Sequence, residues 1–522
     1  MLRGKTVSAF SLCTQHPSLF PKRFATASEW DYGSQMMQCG IGYDFMTPGT
    51  SNHPLVWDLV DAKKEAFFAL SDRVWETPET CYMEVQSAGA HREMLEAQGF
   101  KVAVNVSGIP TALIGEAGEG GPVIAILGEY DALAGLSQKA RSTLHDPLMS
   151  GANGHGCGHN LLGSASLLAA TALKDWLEQT GGAGRVRYYG CPAEEGGAAK
   201  AFMVRSGAFD DVDIAISWHP SNFAGVQRET SLANCRIDFE FFGRAAHAAA
   251  VPELGRSALD AVELMSVGVN YMREHMPSEC RIHNAILDTG GISPNVVQAY
   301  AKVRYVVRSP DLAGLLVLIE RVKKVAEGAA LMTETRVEST VLAGVSNLIV
   351  NTPLMDCMQG IWESLGPPAF DQDDIAFAED IRATLTPDDI AASWNQERLD
   401  PRDIALADFI LPPHNEVRQM GGSTDVGDVS WVVPTVQAYG PTLAIGTQLH
   451  TWQVVAQGQS PLAHKGMAAT AKVMAATGLA ALESRELREA AWADLKRRRK
   501  GQVYRSPIPE GAEPPIAAMT AN

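Results

Sequence analysis

The sequence predicts an α/β protein with a mostly parallel sheet, interrupted by a smaller inserted α/β module. Three observations predict it. First, Pro122–Leu127 is a short, apolar, β-branched run, the pattern of a strand buried on both faces. Second, strands and helices alternate on either side of it. Third, between about residues 229 and 342 the order becomes β-α-β-β-α-β, the split βαβ arrangement of a ferredoxin-like module.

The elements follow in order. Apolar residues from Trp57 to Trp75 recur at helical spacing and stop at Thr77-Pro78. A helix over Ala88–Ala97 and strands at Lys101–Val106 and Thr111–Ile114 lead into the run at Pro122. Strands Arg185–Tyr189 and Asp213–Ser217 alternate with helices Leu161–Gln179 and Ala198–Ser206. In the inserted module, strands Leu232–Phe242, Arg281–Asp288, Val296–Val307 and Arg336–Leu342 enclose helices Arg256–Arg273 and Leu312–Glu327. Phe370–Val417, rich in Asp, Pro and Arg, reads as an irregular surface excursion. A tail helix from about Gly466 ends in the Arg497–Lys500 charge run, a solvated face.

Composition narrows the function classes. At 522 residues the chain exceeds one ordinary domain, and its 46% apolar and 20% charged residues describe a globular protein. A net charge of −17 argues against a nucleic-acid partner. No run reaches the ~18 apolar residues that span a bilayer. The eight cysteines include no Cys-x-x-Cys pair, which fits reduced thiols and a cytoplasmic protein. Residues 1–28 carry Arg3, Lys5, Lys22 and Arg23 with no acid. They read as a poorly ordered extension or, alternatively, an organelle-targeting segment.

Four stretches bring metal-type ligands to places where loops should follow strands. They are Gly154-His-Gly-Cys-Gly-His-Asn160, Cys191-Pro-Ala-Glu-Glu-Gly-Gly197, Trp218-His219-Pro220 and Gly446-Thr-Gln-Leu-His-Thr-Trp452. In open α/β sheets, sites form beyond the carboxyl ends of strands. Taken singly, a buried Cys is packing, a lone His is structural and paired Glu residues are solvated charge. Glycine-framed Cys-x-His and Glu-Glu-Gly-Gly loops, however, have little packing value. The chain has no Gly-x-Ser-x-Gly elbow, His-Glu-x-x-His helix, P-loop or dinucleotide Gly-x-Gly-x-x-Gly.

Together with Gly243-x-x-x-His247-Ala, these motifs resemble the co-catalytic dimetal metallopeptidase family of aminoacylases, carboxypeptidases and auxin-conjugate amidohydrolases. Gly128-Glu-Tyr-Asp-Ala-Leu133, Gly422-Ser-Thr-Asp-Val-Gly-Asp-Val-Ser430 and Leu449-His-Thr-Trp-Gln453 resemble its aminobenzoyl-glutamate branch. The resemblance implies two divalent ions, zinc or manganese, held by Cys157, His159, Glu195, His219 and His450, with Cys157 bridging. His464 competes with His450 for the last place. The resemblance makes Glu194 the general base, puts Asp131 behind a ligand imidazole and gives His247 the tetrahedral oxyanion, acting from a partner subunit. It makes Asn295 and Arg308 the holders of the substrate carboxylate, both projecting from one sheet toward the cleft.

Residues 52–228 and 343–522 would then form a catalytic domain and 229–342 a lid and dimerisation domain, after an extension over 1–51. The implied reaction is amide hydrolysis of N-acyl or N-aroyl amino acids, p-aminobenzoyl-glutamate being favoured. A general aminoacylase or dipeptidase is the second reading. A partner or regulatory subunit of a hetero-oligomeric hydrolase is a third, of another class. A homodimer is expected, with a companion hydrolase subunit possible in addition.

Overall fold

Val123–Glu129 is buried along its whole length, and its side chains divide between two cores. Ile124 and Ile126 pack under the helices His53–Glu76, His159–Thr180 and Pro461–Glu483. Val123, Ala125 and Leu127 pack against Ala199–Arg205 and Val426–Val432 on the other side. A strand covered on both faces has no polar side to show, which is why its sequence reads as one apolar run. The structure, a computed structural model, describes residues 52–413 and 417–520. The readings of the 1–28 segment and the 1–51 extension, with Cys13 and Cys39, lie outside the described residues.

In chain order the strands are β1 (Lys101–Val104), β2 (Leu113–Glu119), β3 (Val123–Glu129), β4 (Gly184–Cys191) and β5 (Ile214–Ser221). Next come β6 (Gly225–Val226), β7 (Glu229–Thr230), β8 (Ala233–Phe242), β9 (Arg281–Asp288) and β10 (Tyr300–Ser309). Last are β11 (Arg336–Val345), β12 (Arg418–Gln419) and β13 (Thr435–Pro441). The large sheet has the order β1-β2-β4-β3-β5-β13-β6. Its four central strands, β4 to β13 in that order, are parallel, and antiparallel pairs close both edges. The carboxyl ends of the four central strands therefore open on one side.

The inserted module is a four-stranded antiparallel sheet of order β11-β8-β10-β9. The helices Ala258–Met272 and Leu312–Thr333 cover one face and build a separate core with Ile237, Phe239, Phe241, Val303 and Tyr305. Strand β11 runs past residue 342, with a register shift between Val341 and Ala343. Ala343 and Val345 belong to a core of the larger unit, so this strand ties the module to it.

The excursion at 370–417 departs from expectation. It contains two α-helices, Gln372–Arg382 and Pro387–Glu397, each opened by a capping box. Asp371 and Asp374 form the first box, Thr386 and Asp389 the second. The Asp and Pro residues that made the segment look irregular are helix starts. The tail is likewise two helices, Pro461–Glu483 and Arg485–Arg499, divided at Ser484, which caps the second. The six cysteines of the described residues are free thiols. No helix of the described residues is long and apolar enough to cross a membrane.

Candidate metal centre

The four ligand-bearing loops converge where the parallel strands end. Strand β3 delivers Glu129 and, two residues on, Asp131, while β5 carries His219 itself. The turn after β4 takes left-handed backbone at Ala193 (φ 57°) and Ala198 (φ 55°), setting Glu194 and Glu195 in a tight loop. Gly158 (φ 76°) starts the helix at His159, two residues earlier than the sequence suggested. His450 is also left-handed (φ 62°), and its N–H donates to the Gly156 carbonyl at 2.8 Å. That bond fastens two ligand loops together. A Cβ on Gly156 would sit 2.4 Å from Leu136 Cδ1 and 3.4 Å from His450 Cα, so a larger residue would have to displace the Leu136 side chain.

Two groups of metal-type donors form around one thiol. Cys157, His159 and His219 offer one, and Cys157, Glu195 and His450 the other; within each group the donor atoms lie within 4.8 Å of one another. Cys157 Sγ is 3.4 Å from His219 Nε2, and His450 Nε2 is 3.4 Å from Glu195 Oε2. A third group joins Glu129, His159 and Glu194.

Asp131 is buried and orients two of these donors. Its Oδ1 accepts from His159 Nδ1 at 2.9 Å, and its Oδ2 accepts the Glu195 N–H at 2.8 Å. The first bond fixes the tautomer that turns Nε2 into the cluster. Glu195 Oε1 is buried without a hydrogen-bond partner, and His159 Nε2 forms no aligned hydrogen bond although Glu129 Oε2 is 3.3 Å away, a costly arrangement that a cation would relieve.

The protonation energetics have the same character. Burial, then the charges of Glu129, Glu195 and Asp425, pushes Glu194 well above the ordinary carboxylate range. Burial also raises Glu195. Burial, then Glu195, raises the Cys157 thiol. His219 falls to about 4 through burial, then the neighbouring His159. Burial pulls His159 down, but its contacts with Cys157 and then Asp131 outweigh it and raise His159 well above its usual value. A crowd of acids that repel one another around a thiol and three imidazoles is a donor set suited to divalent metal.

The remaining predicted residues separate. His464 is outside these groups: it bonds Asp72 at 3.0 Å and stacks on Phe68, with ring centroids 4.6 Å apart. Arg308 lines a cavity of about 290 Å³ together with Glu194, Glu195 and His450. His247 and Asn295 are exposed and adjacent, the Ala248 N–H donating to the Asn295 carbonyl at 3.0 Å. Both residues were expected to project from one sheet toward the cleft, but Asn295 lies in the loop before β10, whereas Arg308 is near that strand's other end. At ~3.3 Å per strand residue, roughly 25 Å separates Tyr300, where the strand begins, from Arg308, so one protomer does not bring Asn295 and Arg308 to one carboxylate.

Sequence reasoning gave no role to Glu129, Lys200 or Asp425. Lys200 is fully buried, its Nζ 2.6 Å from both Glu129 Oε1 and Asp425 Oδ1. Glu129 Oε2 is in turn 3.3 Å from His159 Nε2. The one signal was a lone lysine inside the small and apolar run Ala198–Val204.

No model of a known family matches the chain. One of the component chains of the p-aminobenzoyl-glutamate hydrolase of Escherichia coli K12 is 46% identical over 468 residues, covering 88% of this chain and 97% of that protein. The chain belongs to this hydrolase's family of co-catalytic metallopeptidases. A further relative of this metallopeptidase is the mouse Xaa-Arg dipeptidase, 28% identical over 437 residues, covering 81% of this chain and 87% of that one. A solved Staphylococcus aureus structure described as an aminohydrolase has the same fold, with a TM-score of 0.59 at 15% identity. It covers 83% of this chain and 100% of its own. This member of the metallopeptidase family is thus a metal-dependent amidohydrolase.

Proposed function

We propose that the chain hydrolyses the amide bond of N-acyl or N-aroyl amino acids, with p-aminobenzoyl-glutamate the favoured substrate. The observation that carries this reading is the pair of donor groups sharing Cys157, with Glu194 beside them. Cys157, His159, Glu195, His219 and His450 would hold two divalent ions, zinc or manganese. Such a pair activates water and polarises the scissile carbonyl.

Glu194 takes a proton from the attacking water and returns it to the leaving amine. Its place beside both donor groups, lining the same cavity, suits both halves of that task. Asp131 keeps His159 and Glu195 in place while charge shifts. Arg308 presents a planar fork of donors to the substrate carboxylate. His247 and Asn295, at the far end of the small sheet, act in a neighbouring protomer's site, which makes residues 229–342 a dimerisation module as well as a lid. A companion hydrolase chain would add to a site that already carries its own base and ligands. Free thiols suit a cytoplasmic setting.

The test is release of p-aminobenzoate from p-aminobenzoyl-glutamate by the purified full chain, with bound metal measured alongside. Activity that chelator abolishes and zinc or manganese restores is the expected result. No release from metal-loaded protein refutes the substrate. Mixing inactive His247→Ala and Glu194→Gln chains should restore part of the activity after subunit exchange. No recovery despite proven exchange refutes the role across the interface.

A further inference from the structure

The open face of the four-stranded sheet carries more positive charge than its own acids neutralise. On β8, Asn234, Arg236, Asp238 and Glu240 alternate with the core residues Cys235, Ile237, Phe239 and Phe241, so they share the face away from the helices. Strand β10 sets Arg308 opposite Asn234, Val306 opposite Arg236, Arg304 opposite Asp238 and Lys302 opposite Glu240. Toward Glu240 the charges cancel. Asp238 accepts from Arg304 at 2.7 and 3.0 Å, and Lys302 Nζ lies 3.0 Å from Asp238 and 3.8 Å from Glu240.

Toward the metal centre they do not cancel. Arg236 and Arg308 line the same cavity as Glu194, Glu195 and His450, and neither forms an ion pair among the described residues. Arg308 Nη1 donates to Ser423 Oγ at 3.2 Å, and Arg236 Nη1 donates to the Gly196 carbonyl at 3.4 Å. Each guanidinium has five N–H donors, so most of its capacity is open to the cavity. Burial, then the charge of Arg304, pulls the Arg236 pKa below its ordinary value against the attraction of Asp238, with Arg308 adding a smaller repulsion. Two half-buried guanidiniums that repel one another make a costly arrangement unless an anion joins them.

Gly196 lets Arg236 lie against the loop that carries Glu194 and Glu195, since a Cβ there would come 3.1 Å from Arg236 Nη1. With one arginine committed to the carboxylate common to all amino acids, the other is left for a second carboxylate.

We propose that Arg236 is a specificity residue, binding the side-chain carboxylate of a dicarboxylic leaving amino acid, glutamate or aspartate, while Arg308 holds its α-carboxylate. This rests on the amidohydrolase reading above and narrows its substrate class. A neutral residue leaves Arg236 without its partner, and a cationic residue is repelled by both arginines.

Binding of the free amino acids tests the assignment apart from turnover. Calorimetric titration of the metal-loaded full chain with L-glutamate and L-glutamine should show glutamate binding roughly ten-fold tighter or more, the scale of a charge-assisted bidentate pair. In Arg236→Gln that ratio should fall to within about three-fold of unity, and in Arg236→Lys, which keeps the charge without the fork, to an intermediate value. Thermal melts establish that each variant is folded. A brace for the Gly196 carbonyl alone would not move the ratio. No glutamate preference in the wild type overturns the proposal, and so does a preference that survives in Arg236→Gln or stays full in Arg236→Lys. Failure to cleave p-aminobenzoyl-glutamate would count against the hydrolase reading and leaves this ratio as measured.

Discussion

Removing the charge of Lys200 should cost more stability than any substitution on the surface. Its ammonium is fully buried, 2.6 Å from Glu129 Oε1 and 2.6 Å from Asp425 Oδ1, and its backbone N–H donates to Asp425 Oδ2 at 3.0 Å. Asp425 therefore grips the residue at both ends. Lys200→Met keeps most of the stem volume but leaves two buried carboxylates facing one another. Breaking a buried ion pair by deleting one partner costs about 3–5 kcal/mol. In a folded unit of this size that corresponds to a fall of about 3–5 °C in Tm. Calorimetric melts in chelator read the change without any contribution from lost metal. The triple variant Lys200→Met, Glu129→Gln, Asp425→Asn should recover at least half of the loss, because the penalty is uncompensated charge and not missing contact. A Tm within 1 °C of wild type for the single variant refutes the argument, as does a triple variant no more stable than the single one.

Three further outcomes are expected. Glu194→Gln should retain metal but lose about 10²–10⁴-fold in turnover, the usual contribution of a general base, whereas Glu195→Gln should lose metal; elemental analysis beside the rate assay separates them. His464→Ala should keep wild-type metal content and forfeit only about 1 kcal/mol with its Asp72 and Phe68 contacts; a fall in metal content would restore it as a ligand. His91 is fully buried, stacks on Tyr188, and is held down to about 3 by burial, then by Arg73. With the folded pKa below the unfolded one, its neutral form supports the fold near neutrality, and that support is lost as pH falls from about 6.5 toward 3. His91→Phe should therefore flatten the acid loss of stability by about 1 kcal/mol per pH unit between pH 5.5 and 4.5. Denaturant midpoints at the two pH values check it, and parallel wild-type and variant slopes refute it.

What the sequence discloses depends on how far apart the partners of an interaction lie. The buried run at β3 and the glycine-framed Cys157 and His159 are local patterns, and they led directly to the parallel sheet and to the cluster at its open ends. Lys200 and Asp425 are 225 residues apart, and beyond the apolar run around Lys200 nothing local ties one to the other. Asp371 and Thr386 were local signals whose meaning as helix caps was missed, because a composition rich in Asp and Pro suits loops and helix starts alike. Alternation along β10 assigned Arg308 to a face, but a period of two does not reveal which end of a strand meets the cleft. Arg236 is the sharpest case. Along β8, Arg236 and Asp238 are two charged residues on the same face, and nothing local distinguishes them. The register with β10 does so, setting Arg304 against Asp238 and uncharged Val306 against Arg236. One strand pairing thus decides which charges neutralise one another and which remain for the substrate.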